Sequence, residues 1–178
     1  MSGVDDNRQQ PAAVTELLMP RNFTFFGCYD HTIDSKGRLI IPTAFRKPLG
    51  EKFVIGVTPD GEAIALYPQE VFAEMMFDLY QLNRLSIPLQ KHLTNIGRTS
   101  FPNMEADTQG RVLIPAKLRQ RFLGDAKELE ISGAMDHVRI VTAAKGAEED
   151  EYFDKNRLEI LQSVSQLKAD LMARKGEA

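Results

Sequence analysis

Two stretches of the chain repeat one pattern of polar and apolar positions. Asp34-Ser35-Lys36-Gly37-Arg38-Leu39-Ile40-Ile41-Pro42 is matched by Asp107-Thr108-Gln109-Gly110-Arg111-Val112-Leu113-Ile114-Pro115 at a constant offset of 73 residues. Each begins as a turn, because an Asp side chain can accept from the backbone amides ahead of it and Gly permits a positive φ. The apolar triplets Leu39-Ile40-Ile41 and Val112-Leu113-Ile114 are unbroken β-formers, expected to be short strands buried on both sides. Pro42 and Pro115 cannot donate to a ladder but suit the first position of a helix. The second such helix is predicted over Ala116 to Leu123, with Leu118 and Phe122 on one face and Gly124 beyond its end. Pro48 is expected to cut the first one shorter.

A hairpin pattern follows each helix. Phe53 to Val57 and Ala63 to Tyr67 flank a Pro-Asp-Gly turn, and Leu129 to Ser132 and Val138 to Val141 flank Ala134 to His137. A unit of roughly 40 residues cannot bury an adequate core alone, so the halves are expected to interlock, or to pair with other chains, as one barrel. Between them, Pro68 starts a helical run with Val71, Met75, Leu79 and Leu82 on one stripe, and a second helix is read over Leu89 to Ile96. The Met75-Met76 pair is read as helix packing. Near the C-terminus, Phe153, Arg157, Ile160, Val164, Leu167 and Leu171 recur at helical spacing, widened by Leu158 and Leu161, for docking on the body or on a neighbour. The organisation read from these patterns is a disordered extension over 1–22, a first module over 23–67, connecting helices over 68–97, a second module over 98–141, and a C-terminal helix and tail over 142–178.

Composition narrows the class. With 43% hydrophobic and 26% charged residues the chain is of ordinary globular type. No apolar run approaches the ~18 residues that span a bilayer, and the start lacks the order of a secretion signal, so a cytoplasmic protein with no membrane partner is expected. The single cysteine, Cys28, cannot form an internal disulfide, and it has no His partner of a catalytic kind. His31, His92 and His137 are scattered, so no metal site or cofactor is expected. No nucleophile–base set or phosphate-cradling Gly loop stands out either, which disfavours an enzyme or a small-molecule substrate.

A net charge of −3 argues against a uniformly basic coat, but the charges are segregated. Residues 34–47 hold Lys36, Arg38, Arg46 and Lys47 against Asp34 alone, and residues 107–121 hold Arg111, Lys117, Arg119 and Arg121 against Asp107 alone. Acidic residues gather in the tail, where Glu148 to Glu151 reads as a solvated helix start. Arg38 and Arg111, each just past a Gly turn, project a rigid fork suited to phosphate or to two acceptors on guanine. The alternative is that each pairs with Asp34 or Asp107 four residues back and locks the turn; both roles can coexist. Lys36 is a phosphate candidate or a solvated loop lysine. Gln109 stands in its place in the second copy, losing a cation but keeping a donor for phosphate or a base edge. Arg46 and Arg119 either flank the same surface or sit on a solvated helix face. Asp34, Gly37, Asp107 and Gly110 are read as turn-formers, since a carboxylate beside phosphate is repelled.

The paired Asp-x-x-x-Arg turns, each followed by an apolar strand and Pro, resemble the MraZ family, whose fold belongs with the AbrB and MazE DNA-binding barrels. The similarity runs from about Phe25 to Val141 and more loosely through the C-terminal helix. It implies an α+β, β-rich fold: a pseudo-twofold double-split (swapped-hairpin) β-barrel from two tandem copies, with flanking helices. It further implies a nucleoid-associated repressor of the bacterial division and cell-wall gene cluster, binding promoter direct repeats as a ring-shaped homo-oligomer through Lys36, Arg38, Gln109 and Arg111, with Arg46 and Arg119 as additional DNA-facing positions. The residues before Phe26-Gly27 are extra to the family pattern. Two other readings compete: an oligomeric protein-interaction scaffold, and an antitoxin-like regulator, which the duplication disfavours.

Overall fold

The computed structural model describes residues 23–82 and 86–176, so the expected extension over 1–22 lies outside the described residues. Among the described residues eight strands and five helices follow in order: β1 (Cys28–Thr32), β2 (Arg38–Ile40), α1 (Thr43–Leu49), β3 (Phe53–Val57), β4 (Ile64–Pro68), α2 (Gln69–Leu82), α3 (Ile87–Thr99), β5 (Phe101–Met104), β6 (Arg111–Leu113), α4 (Ala116–Phe122), β7 (Glu128–Gly133), β8 (Val138–Thr142) and α5 (Ala143–Gly176). The fold is mixed α+β.

Six strands form one antiparallel sheet in the order β1-β7-β8-β4-β3-β5, and β2 pairs with β6 in a separate ribbon. The larger sheet is open: β1 and β5 stand at its two ends, so a closed barrel ladder is not seen. Its order nonetheless interlocks the copies. β1 of the first copy pairs with β7 of the second, β5 of the second pairs with β3 of the first, and the two hairpins meet along β4 and β8. One core therefore draws on both, with Leu39, Ile41 and Phe45 packed in the same cluster as Val112, Ile114 and Leu118. Burying each such side chain contributes roughly 1.5–3 kcal/mol, which neither half could accumulate alone.

Several expectations need correction. The apolar triplets are not buried on both sides: Leu39 and Ile41 are enclosed, but Ile40 is 43% exposed, and Leu113 in the second copy is 50% exposed. A two-stranded ribbon covers the core with one face and leaves the other outside, so side chains alternate. Pro48 does not shorten α1, which like α4 has seven residues. Its missing N–H would have bonded to the carbonyl of Ala44, in an exposed first turn where that oxygen can be hydrated. α3 runs further at both ends than read, because the Ser86 hydroxyl accepts from Leu89 N and Pro88 fits the first turn. α2 lays Val71, Phe72 and Met75 on Val54, Ala65 and Tyr67.

The C-terminal helix departs most. It begins at Ala143, so Glu148 to Glu151 is not its start; Glu149 instead reaches Arg139 of β8 at 2.6 Å. Gly146 lies against the Glu130 carboxylate of β7, which a Cβ there would displace. Beyond this anchor the helix leaves the body: Phe153, Leu158, Leu161, Val164, Leu167 and Leu171 are all exposed, not docked on it.

Candidate nucleic-acid interface

The two Gly turns have the same construction. In the first, Gly37 N donates to Asp34 O at 2.9 Å and Asp34 N to Arg38 O at 2.8 Å, closing a tight loop at the head of β2. The Asp34 carboxylate organises it: Oδ1 accepts from Lys36 N and Arg38 N, both at 2.9 Å, while Oδ2 accepts from Arg38 Nε at 2.8 Å. In the second, Asp107 Oδ1 accepts from Gln109 N and Arg111 N at 2.9 Å, and Oδ2 from Arg111 Nε at 2.7 Å. Both carboxyls are held below their ordinary value, chiefly by the backbone amide of Arg38 or Arg111 and then by the remaining hydrogen bonds and charge. Asp34 and Asp107 thus have their acceptors occupied by their own turns.

The glycines meet both a backbone and a packing constraint. Gly37 and Gly110 have φ of +80° and +78°, which a side chain disfavours. Each is also buried against an arginine of the opposite copy: a Cβ on Gly37 would overlap the Arg119 guanidinium, and one on Gly110 the Arg46 guanidinium. Arg119 Nε in turn donates to Ile114 O at 3.0 Å, and Arg46 Nε to Ile41 O at 2.9 Å. Ile114 N donates to Gly37 O at 3.0 Å and Ile41 N to Gly110 O at 2.9 Å, completing a reciprocal lock. Arg46 and Arg119 are half-buried and placed beneath the turns, each holding the turn of the other copy. Local sequence could not reveal this, because the contact crosses between the repeats.

The ribbon presents one composite face. Arg38 stands opposite Leu113 and Ile40 opposite Arg111 in antiparallel register. Alternation puts all four side chains outside, with Leu39 and Val112 inside. Diagonal neighbours of such a pair lie about 7–8 Å apart, so the two guanidinium-bearing positions bracket an exposed apolar pair. Since the strands are antiparallel, the turns that carry Lys36 and Gln109 rise from opposite ends of the ribbon, and both of these residues are exposed. Arg38 and Arg111 retain about a third of their side-chain exposure despite their Asp partners. An arginine has five N–H donors, so the Asp contacts leave the rest of the fork for an outside acceptor. Charged and apolar positions from both copies thus converge on one outer face. Ile40 and Leu113 were missed because an unbroken apolar triplet reads as fully buried.

Nothing comparable gathers elsewhere among the described residues. Among the described residues no group of three or more His, Cys, Asp or Glu is placed to hold a metal ion. His137 is buried, stacked on Tyr67 with ring centroids 5.0 Å apart and hydrogen-bonded to Asp136 at 2.6 Å. Cys28 is exposed, and partial burial followed by the nearby Glu130 pushes its thiol up, away from the reactive thiolate. No helix among the described residues is long and apolar enough to cross a membrane.

Fold and site together define a class: a tandem duplication of a small strand–turn–strand–helix module, interlocked so that two Arg-bearing Gly turns share one ribbon. Residues 24–87 match the family model described as "MraZ protein, putative antitoxin-like". A relative named "Transcriptional regulator MraZ" from Lachnoclostridium phytofermentans is 37% identical over 118 residues, covering 65% of this chain and 79% of its own. Namesakes from Lactiplantibacillus plantarum and Moorella thermoacetica are 40% and 39% identical, covering 65% and 70% of this chain and 80% and 85% of theirs. The chain belongs to the MraZ family.

Proposed function

We propose that this protein is a DNA-binding transcriptional regulator that grips DNA with the outer face of the β2–β6 ribbon and its two turns. The observation that carries the reading is the composite face itself, on which Arg38 and Arg111 flank exposed Ile40 and Leu113, with Lys36 and Gln109 at the turn tips. The relatives' printed name supports the regulatory role. Arg38, Arg111 and Lys36 supply phosphate or guanine contacts, and Gln109 a neutral donor, so the first turn takes the larger share of phosphate contact. Ile40 and Leu113 suit the methyl group of thymine, an apolar feature of the major groove. Arg46 and Arg119 act from below by holding the turns in register.

So few cations give one subunit a weak grip, and affinity requires repetition. A ring-shaped homo-oligomer on promoter direct repeats, as the resemblance to the MraZ family implies, raises avidity without any new contact. The targets under this reading are the division and cell-wall genes, with repression in the cytoplasm at the nucleoid. The Arg–Asp contacts also suit a scaffold in which the turns are purely structural.

One experiment separates the two. Fluorescence anisotropy compares binding to the DNA upstream of the protein's own gene with binding to a scrambled duplex, for the wild type and for Arg38→Ala/Arg111→Ala. The regulator predicts preference for the upstream DNA and its loss in a variant that stays folded. Equal binding by the folded variant overturns the site, and wild type without preference favours the scaffold.

A further inference from the structure

The free part of α5 carries an apolar seam with no cover among the described residues. Phe153, Arg157, Ile160, Val164, Leu167 and Leu171 alternate steps of four and three, the spacing that keeps one stripe of a helix facing a partner helix. From Asp150 to Ala173 the helix is almost wholly exposed, about 36 Å at ~1.5 Å per residue. A monomer has no use for such a seam in water.

We infer that α5 pairs with α5 of a second copy as an antiparallel two-helix coiled coil, centred near residue 162. Charge and length select this occupant and this direction. With the helices antiparallel, Phe153 meets Leu171, Arg157 meets Leu167 and Ile160 meets Val164, each pair occurring twice by symmetry. Asp154 then flanks Lys168 of the second copy. Arg157, the one charged residue in the seam, lies within reach of Asp170 of the second copy. Asp170 Oδ1 accepts from Gln166 of its own helix at 2.8 Å, leaving Oδ2 for that contact. A parallel, in-register pairing instead stacks Arg157 on Arg157 inside the seam, so like charges oppose it.

The lengths agree as well. In the antiparallel register Gly176 falls opposite Glu148, next to Glu149, where the Arg139 contact ties α5 to its own sheet. Each helix thus ends as the other enters its body, and the whole free span is covered. The contact is isologous and closes on two copies, holding two ribbons at a fixed separation about a twofold axis.

The test uses the full chain with Cys28→Ser, Asp154→Cys and Lys168→Cys, oxidised and digested. Positions 154 and 168 lie about 21 Å apart along one helix, too far for a disulfide within it. The antiparallel pair therefore predicts a covalent dimer joined through 154–168 linkages. Links of 154 to 154 or 168 to 168, or no covalent dimer, overturn it. A second variant, Val164→Asp/Leu167→Asp, changes only exposed side chains and should keep the wild-type helical signal in circular dichroism. Its mass by light scattering should fall below that of the wild type; an unchanged mass contradicts the proposal, as does a wild type that is already a monomer.

Discussion

At the scale of single residues, the turns depend on an exchange between the repeats that neither repeat can make with itself. Gly37 has a φ of +80°, which disfavours a side chain, and a Cβ there would also displace the Arg119 guanidinium. Gly37→Ala should therefore destabilise by about 1–3 kcal/mol in urea unfolding, the cost typical of a strained backbone position. Adding Arg119→Ala should recover the steric part and leave the φ cost, giving a non-additive double-mutant cycle. Additive effects would show that Arg119 does not support the turn. The carboxylates make a second claim at this scale. Their folded values lie below the ordinary 3.8, so whatever stability they contribute is present above that value and lost as pH falls through the lowered one. Carboxyl NMR titration should give midpoints under 3.8 for both Asp34 and Asp107, and a midpoint at or above it would contradict the turn geometry.

At the scale of elements, the ribbon is the piece on which the proposal turns. Ile40→Ser/Leu113→Ser alters two exposed side chains, so unfolding free energy should move by no more than about 0.5 kcal/mol per site while affinity for upstream DNA falls. A large loss of stability would place these residues in a hidden contact instead. The repeat, both short helices, the hairpins and α2 were legible because each rests on local signals: Gly and Pro at fixed places, a helical stripe, a turn between apolar runs. The edge strands were not. β1 reads Cys-Tyr-Asp-His-Thr, with half-buried Tyr29 and His31 alternating with exposed neighbours, and its partner lies about a hundred residues away in β7. Ile40 was misread because β-propensity does not report how many faces of a strand are covered. Local sequence does not fix the role of Arg46 and Arg119 for a similar reason: they pack on the glycines of the opposite copy.

At the scale of the whole molecule, duplication gives the chain one core, one ribbon and two unequal turns, while α5 leaves the body carrying its own seam. The proposed recognition face is small and regular, so its effect should scale with the number of copies engaged. Salt dependence of DNA binding tests that most directly. Affinity of the wild type for its upstream DNA should fall linearly on a log–log plot against salt concentration, with each phosphate contact adding about 0.9 to the slope. Arg38→Ala/Arg111→Ala should lower affinity and, if both arginines hold phosphate, flatten the slope by about 1.8 per engaged subunit. A base contact would instead cost sequence preference at nearly constant slope. A folded double variant with the wild type's affinity, preference and slope would contradict the assignment of the ribbon as the DNA-binding face.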